Sequence, residues 1–527
     1  MAEKFNRATF TRSFLRSITK VKAPEEMLAE ASAQGGLEKT LGVWDLIILG
    51  VGAIIGSGIF AVVGIAAAGS ADGSSLGAGP ALIVSMIVAA IACIFSALCY
   101  SEFATMIPVA GGAYTYTFAT LGEFAAWMVG WVLMLEYGIG FIAVACAWSN
   151  HFVQFLSGFE KVLPAWLAHP PAWLTYDIFT LTDLAKDDPS IHIPTVLGIP
   201  VAINLPAILI VLLMTAILVK GTKDSTKMAG LMVFIKMAVI ALFVVAGAFF
   251  VTPDNWTPFA PNGAAGIFAG AFLIFFAYIG FDALATAAEE CKNPQKDLPI
   301  GIIGSLLVTT IVYVLVALVL TGMQDTAVPV SMDFLKAPMA FCMMQAKQNW
   351  AAGLISVGSL AGLTSVLLVL EMAATRILFA MSRDHFISPK FQTLDKKYKT
   401  PALLTWTVGI LAVVGILTLN LDVAAELCNY GTFTSFIIVC VAVLILRHTD
   451  PTRPRPFKVP FSPVTPALGI ICCGGLMIYK SLEAGSSAML FPVWLGMGAI
   501  IYLLYGFIKN RNNENRIHRE KVHGSSN

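Results

Sequence analysis

The stretch GVGAIIGSGIF, residues 50 to 60, lies inside a long apolar segment and contains four glycines within nine residues. Ser57 stands between the last two of those glycines. In hydrocarbon every backbone N–H and C=O must find a partner, so a segment that resists a regular helix needs a structural reason. Two small residues four positions apart often serve close helix packing. The density of glycines in this stretch instead favours an unwound segment inside a membrane helix.

A second such stretch, FFAYIGFDALATAAEE at residues 275 to 290, puts Gly280 and Asp282 in the middle of another apolar segment. This segment is the sixth apolar span, five helices after the first. That spacing is typical of two inverted repeats of five helices, each opening with a discontinuous helix. The N-termini of half-helices suit a carboxylate, and the free carbonyls of a broken helix suit an ammonium group. A free amino acid carries both groups.

Composition indicates that the bilayer surrounds these segments, because 57% of the 527 residues are hydrophobic and only 12% are charged. Soluble domains contain about 25% charged residues. Apolar runs long enough to cross hydrocarbon recur along the chain. The sequence therefore predicts an all-α integral membrane protein of 12 transmembrane helices with a 5+5 inverted repeat. The spans are predicted at residues 43–68, 80–106, 122–157, 196–219, 228–252, 264–288, 300–323, 350–382, 402–420, 423–446, 464–482 and 489–508.

The predicted organisation is a cytoplasmic N-terminal segment, two five-helix repeats, two further helices and a cytoplasmic tail. The N-terminal segment has no continuous apolar core and is not a cleavable secretory signal. Its Phe10, Phe14, Ile18 and Val21 share one helical stripe, which predicts either an interfacial helix or a solvated positive tail. The five parts are predicted at residues 1–40, 41–252, 253–447, 448–508 and 509–527.

The distribution of Lys and Arg predicts the orientation, because positively charged loops stay in the cytoplasm. With the N-terminus inside, 26 of the 33 basic residues fall in inner segments and five fall in outer loops. Both termini are therefore predicted to be cytoplasmic, in a multi-pass protein of the cytoplasmic (inner) membrane. The nine cysteines lack metal-type spacing and mostly lie in apolar spans, so no metal site is predicted.

Two ionisable residues at membrane depth are candidates for ion coupling, because such residues are costly there. Lys236 lies in the fifth span. It is predicted to point into the helix bundle, as either a fixed positive charge where other transporters hold sodium or a proton carrier, since burial disfavours a charge. Snorkelling to the headgroups is the structural alternative. Glu136, in the third span, is either a proton site or a hydrogen-bonded structural acid.

The eighth span contains Glu371 and Arg376. Glu371 could face the side chain of a substrate, or pair with Arg376, although a separation of five residues is poor helix geometry for such a pair. Arg376 is predicted to pair with a carboxylate or with a helix C-terminus near the inner end of the span. Glu102 and Asp282 are predicted to be helix-end or gate-network residues.

Several motifs resemble the amino acid-polyamine-organocation superfamily, and within it the cationic amino acid transporter family in its bacterial twelve-helix form. The resemblance covers nearly the whole chain, and the sixth-span and RPFKVP segments are its most specific parts. The matching stretches are GGLEKTLGVWDLIILGVGAIIGSGIF (35–60), YSEFATMIPVAGGAYTY (100–116), LPAILIVLLMTAILVKGTKDS (205–225), FFAYIGFDALATAAEECKNPQKDLPIGI (275–302), TRILFAMSRD (375–384) and RPFKVPFSP (455–463).

The resemblance implies alternating access and a substrate held between the two broken helices. It places the carboxylate on the backbone of the first break and the amine on carbonyls of the second, where Phe276 can also gate the pocket. The family has a lysine at the position of Lys236 and a glutamate at that of Glu136, which favours proton over sodium coupling. The implied substrate-binding residues are Ile55, Gly56, Ser57, Gly58, Phe276, Ala277 and Ile279.

Glu371 departs from the family, whose close bacterial members have methionine or another uncharged residue in that stretch. If it faces the pocket ionised, lysine, arginine or ornithine is the expected substrate. If it is protonated or points elsewhere, small neutral amino acids are expected. The sequence favours cationic substrates slightly.

The sequence thus predicts a proton-coupled symporter of L-amino acids with H⁺ as coupling ion, no cofactor and no nucleic-acid partner. An amino acid or polyamine exchanger on the same fold is the main alternative, and a non-transporting membrane sensor is a further one. A membrane enzyme or an ATP-driven pump is disfavoured, because no HExxH or GxxxxGK[ST] motif occurs. The protein is expected to function as a monomer, with an accessory membrane subunit left open.

Overall fold

The computed structural model describes most of the chain between residues 20 and 504. The stripe residues Phe10, Phe14 and Ile18 and the tail predicted at residues 509–527 lie outside the described part. Among the described N-terminal residues, a helix begins at Pro24. The described residues are 20–33, 39–69, 76–160, 163–187, 193–196, 199–326, 330–331, 334–335, 337–419, 421–482 and 489–504.

Helices make up nearly all of the regular structure in the first half of the chain. A π-helical turn at Gly58–Val62 leads into α3, and another at Met134–Ile139 joins α6 to α7. The helices are α1 (Pro24–Ala33), α2 (Val43–Ile54), α3 (Val63–Ala68), α4 (Leu82–Met106), α5 (Ala113–Phe118), α6 (Glu123–Leu133), α7 (Gly140–Ser157), α8 (Ala165–Ala168), α9 (Ile178–Asp187), α10 (Leu205–Val219) and α11 (Thr222–Gly247).

The second half continues in the same way, with a 3₁₀ turn at Phe276–Tyr278 between α12 and α13. Its helices are α12 (Gly263–Phe275), α13 (Ala283–Thr286), α14 (Pro294–Met323), α15 (Pro338–Gln345), α16 (Asn349–Arg383), α17 (Ala402–Thr418), α18 (Leu421–Thr449), α19 (Val464–Leu482) and α20 (Met489–Leu504).

One short ribbon departs from the all-α prediction. Strands β1 (Thr195–Val196) and β2 (Ile199–Pro200) pair antiparallel where the fourth span was predicted to begin. The helix α10 starts only at Leu205, where Asn204 caps it by accepting a hydrogen bond from the Ala207 N–H at 3.3 Å. The prediction of residues 196–219 was therefore wrong at its start, because turn residues and a cap outweigh the apolar composition there.

Eight helical segments in the described part of the chain are long and apolar enough to cross a membrane, and α2, α10, α17 and α20 are shorter apolar helices. The outer helices turn large apolar side chains outward, as Leu231, Phe234 and Phe249 do in α11 and its 3₁₀ end. Exposed apolar surface of this extent marks a surface that contacts lipid. The chain is therefore a multi-pass membrane protein.

Both predicted helix breaks are present. The helix α2 ends at Ile54, Ile55 is extended with φ −76° and ψ 99°, and a helical turn resumes at Gly58. In the sixth span, α12 ends at Phe275 and the 3₁₀ turn ends in extended Ile279. Gly280 follows with φ +120°, a conformation that glycine adopts readily and other residues rarely do. The backbone at both sites leaves the helix in mid-span.

The two breaks lie against each other. A Cβ atom on Gly58 would lie 2.2 Å from the Cβ of Ala277, and one on Gly280 would lie 2.9 Å from the Cβ of Ala53. Real Cβ atoms do not approach so closely, so both positions need glycine. The helices α7, α11 and α16 pack around this centre, with α16 also contacting α2. The glycines quoted from the sequence thus bring the two interruptions into direct contact.

Candidate substrate site

A cavity of about 350 Å³, including space open to solvent, lies at the paired breaks. Its lining combines the first break, the second break and the facing surfaces of α7, α16 and α18. Five of the seven residues predicted for substrate binding line it. The lining residues are Ala53, Ile54, Gly56, Ser57, Gly58, Gly140, Val144, Phe276, Ile279, Val366, Leu370 and Cys428.

One end of the cavity is formed by the start of the second half of the first span. Gly56, Ser57 and Gly58 precede and open the turn that leads into α3. The first N–H groups of a helix have no partner within it and carry the positive end of its dipole. A Cβ on Gly56 would lie 2.6 Å from the Val366 Cγ2 atom. The start of a helix favours a negatively charged group, and a side chain at Gly56 would obstruct this end of the cavity.

The other end is formed by Phe276 and Ile279, where the 3₁₀ turn of the sixth span finishes. The Phe276 carbonyl accepts a hydrogen bond from the Ile279 N–H at 3.4 Å. A carbonyl has two lone pairs and can accept a second hydrogen bond, so the end of this turn suits an ammonium group. Phe276 is partly exposed to the cavity while its neighbours are buried. The arrangement offers acceptors and an aromatic ring within the same pocket.

Two predicted binding residues lie behind the cavity wall. The Ile55 carbonyl accepts a hydrogen bond from Lys236, and the Ala277 carbonyl accepts one from the Tyr313 hydroxyl at 2.8 Å. The same hydroxyl lies 3.0 Å from the Ile54 carbonyl. Tyr313 therefore links the two broken helices. Sequence reasoning missed it, although a tyrosine in the apolar seventh span was a polar group needing a partner.

Lys236 belongs to α11 and is fully buried, and its ammonium group lies at the C-terminal end of α2. Its Nζ donates to the Gly52 carbonyl at 2.9 Å, the Ile55 carbonyl at 2.6 Å and the Ser365 hydroxyl at 2.9 Å. These three acceptors match the three donors of an ammonium group. The positive charge stands at the negative end of the α2 dipole. Snorkelling to the headgroups, the structural alternative, does not occur here.

Glu136 is fully buried in the π-helical turn of the third span, beside Asp282 from the second break. The Tyr137 hydroxyl donates to Asp282 Oδ2. Asp282 is thus packed against the third span in the bundle interior. The Cys428 thiol donates to the Glu136 backbone carbonyl at 3.2 Å. Because Cys428 also lines the cavity, the backbone of Glu136 is one residue removed from it.

Glu371 does not line the cavity, whereas its neighbour Leu370 does. Its Oε1 accepts a hydrogen bond from the Thr215 hydroxyl of α10 at 2.5 Å. Arg376 bonds Glu290, so the predicted carboxylate partner exists and differs from Glu371. Glu102 accepts from Arg447 at 3.0 Å, which makes it a network residue at a helix end, as predicted.

The rest of the cavity wall is apolar. Val144 comes from α7, Val366 and Leu370 lie four residues apart on α16, and Cys428 comes from α18. None of the residues that line the cavity carries a charged side chain. Polar backbone at two ends and an apolar wall between them match the three parts of an amino acid with a neutral side chain.

The fold is that of a multi-pass membrane protein with a cavity at two broken helices, and comparison with known proteins identifies its class. The chain matches the amino acid permease family over residues 41–500. It belongs to that family, within the amino acid-polyamine-organocation superfamily. It is a transport protein and not an enzyme.

Three relatives cover most of this chain. It is 41% identical over 492 residues to the branched-chain amino acid permease BcaP of Bacillus subtilis, covering 93% of this chain and 97% of that protein. It is 40% identical over 484 residues to the methylthioribose transporter of the same organism, covering 92% and 97%. It is 35% identical over 453 residues to the chloroplastic cationic amino acid transporter 9 of Arabidopsis thaliana, covering 85% and 74%.

Proposed function

We propose that the protein is a secondary active transporter that carries L-amino acids with neutral side chains by alternating access, coupled to protons. The cavity between the two helix breaks supports this most strongly, because it joins the backbone at the start of one helical turn, the backbone at the end of another and an apolar wall. Gly56, Ser57 and Gly58 would hold the carboxylate, and the backbone at Phe276 and Ile279 the amine. The name of the Bacillus branched-chain permease is consistent with such a substrate.

Helix packing supports twelve spans arranged as two inverted repeats of five. If spans one to five correspond to spans six to ten, each contact in one repeat should have a counterpart in the other. The pair α2–α14 corresponds to α12–α4, the pair α11–α16 to α18–α7, and the pair α10–α16 to α17–α7. The pairs α11–α14 and α18–α4 correspond in the same way, as do α10–α7 and α17–α16.

This correspondence bears on mechanism, since inverted repeats can exchange their conformations around a fixed central site. Three pairs of spans contact each other directly: two and seven, three and eight, and four and nine. In each pair, the two spans occupy corresponding positions in the two repeats. The two broken helices would then rock relative to α7 and α16. Glycine at positions 58 and 280 keeps their contact close enough to transmit that motion.

Lys236 supports proton coupling through its hydrogen bonds. A protonated amine supplies three N–H donors and a neutral amine two, while the end of α2 and Ser365 present three acceptors. Loss of the proton therefore costs one hydrogen bond as long as α2 stays in place. When α2 moves away, the acceptors separate and the proton can leave. In this way one residue would link protonation to the position of the first broken helix.

Glu136 would contribute a second link, because its buried carboxyl group lies beside that of Asp282 and has no hydrogen-bond partner among the described residues. Two such groups side by side favour a proton on one of them. Glu136→Gln keeps the shape and removes the exchangeable proton. We expect this variant to lose proton-driven accumulation while exchange of internal for external substrate continues. Uptake and counterflow in the same proteoliposomes measure the two activities. Normal gradient-driven accumulation by Glu136→Gln would remove Glu136 from the coupling mechanism.

Glu371→Met tests the choice between neutral and cationic substrates. Because Glu371 bonds Thr215 and does not line the cavity, the ratio of leucine to lysine transport should be unchanged. The control is Thr215→Val, which removes the same hydrogen bond by deleting the Thr215 hydroxyl. A clear fall in lysine transport, seen only in Glu371→Met, would show that Glu371 reads the charge of the substrate.

The transport proposal is tested by uptake of a panel of labelled amino acids into proteoliposomes, with and without an inward proton gradient. We expect saturable, gradient-dependent accumulation of neutral apolar amino acids. Uptake seen only after the vesicles are preloaded would identify an exchanger, the second candidate. Binding without any uptake or counterflow would identify a sensor.

The proposed location is the cytoplasmic (inner) membrane with both termini in the cytoplasm, based on the distribution of Lys and Arg. The protein is proposed to work as a monomer without a cofactor. Substituted cysteines near each terminus, labelled from one side of an intact membrane, test this orientation.

A further inference from the structure

Gly140 opens α7 directly after the π-helical turn and lines the cavity. A Cβ atom at this position would lie 3.1 Å from the Cys428 Sγ atom and 3.8 Å from the Leu370 Cδ1 atom. Both of those residues also line the cavity. A first side-chain carbon at Gly140 would therefore occupy space at the apolar wall and press on the thiol.

The Cys428 thiol cannot move aside without cost. Its hydrogen bond to the Glu136 carbonyl, at 3.2 Å, anchors it to the π-helical turn that precedes Gly140. Cys428 is itself only 2% exposed, so its side chain is closely packed by its neighbours. Buried side chains packed at protein density resist the addition of even one methylene group.

We propose that Gly140 and Cys428 together set the size of the substrate side chain that the transporter accepts. Gly140 leaves room for a medium-sized aliphatic or thioether side chain, such as that of leucine, isoleucine, valine or methionine. The anchored thiol of Cys428 closes the subsite to larger aromatic side chains. This inference rests on the proposed function and adds the residues that determine specificity within it.

The two ends of the cavity leave only this wall for the side chain. The first break faces the carboxylate, the second break faces the amine, and Gly140, Val144, Val366, Leu370 and Cys428 make up the remaining lining. These residues come from three helices and carry no polar atom that would bond a substrate side chain, apart from the thiol, which is already engaged. Size is therefore the property that this wall can select.

The test compares four variants in competition assays with alanine, valine, leucine, isoleucine, methionine and phenylalanine. Gly140→Ala should weaken transport of leucine, isoleucine and methionine relative to alanine by about tenfold, the scale of one methylene group in an apolar pocket. Cys428→Ala should improve phenylalanine relative to leucine by a similar factor. The double variant should return leucine to near its wild-type rank, because the smaller residue at 428 makes room for the added methyl group.

Gly138→Ala is the matched control, since Gly138 lies in the same turn and a Cβ there would meet no atom within 4 Å. It should leave the substrate ranking unchanged. Cys428→Ala enlarges the site and tests the proposal even if Gly140→Ala fails to insert.

An equal loss of all substrates in Gly140→Ala, without recovery in the double variant, would overturn the size-selection role. So would an unaltered phenylalanine-to-leucine ratio in Cys428→Ala. If the wild-type protein carries amino acids and only these ratios fail, the subsite assignment alone is wrong. If the wild-type protein binds and carries none of the panel, the proposed function fails with it.

Discussion

Lys236→Met is expected to lower proton-driven amino acid uptake by about 100-fold while the protein still inserts. The methionine removes the donor shared by the Gly52 and Ile55 carbonyls and the Ser365 hydroxyl. Ser365 can still donate to the Gly52 carbonyl at 3.0 Å, so the Ile55 carbonyl is the group most affected. A buried group left unsatisfied costs about 1–3 kcal/mol. The end of α2 would lose the charge that holds it, and the proton-dependent step would be lost with it. The measurement is initial uptake into proteoliposomes under an inward proton gradient.

Lys220→Met is the matched control, because Lys220 is exposed at the end of α10 and should tolerate the change. Ser365→Ala removes one of the three acceptors and should give an intermediate loss. Wild-type accumulation by Lys236→Met, with insertion verified, would exclude Lys236 from coupling.

Gly56→Leu is expected to reduce substrate affinity by about 100-fold. Its Cβ alone would lie 2.6 Å from Val366 Cγ2, and the rest of the side chain would fill the carboxylate end of the cavity. Overpacking of this kind costs about 1–3 kcal/mol before any loss of substrate contacts. Binding to purified protein, measured by calorimetry with leucine, checks the prediction independently of transport.

Gly475→Leu provides the control for the larger side chain, since a Cβ at Gly475 meets no atom within 4 Å. It should bind leucine normally. Normal affinity in Gly56→Leu as well would show that the substrate does not occupy this cavity.

The sequence predicted the two breaks because their signal is local. Gly50 and Gly52 lie inside α2 and serve close helix packing, whereas the backbone at residues 55–57 and 276–280 leaves the helix as expected. Lys236 was also predicted to point inward, since a charge in an apolar span must find acceptors. Local chemistry was sufficient in these cases.

The direction of Glu371 could not be predicted, because α16 is buried on nearly all sides and its sequence has no polar face to fix the rotation of the helix. A turn of about 100° per residue separates Leu370, which lines the cavity, from Glu371, which meets Thr215. Tyr313, Gly140 and Cys428 were missed for a related reason. Their importance depends on contacts between distant helices, which no local pattern reveals.

The most direct test of coupled transport traps a pH-sensitive dye inside proteoliposomes and adds leucine outside at equal pH on both sides. We expect the lumen to acidify as leucine enters, lysine to produce a smaller change, and Lys236→Met to produce none. Entry of labelled leucine without any acidification would contradict proton coupling.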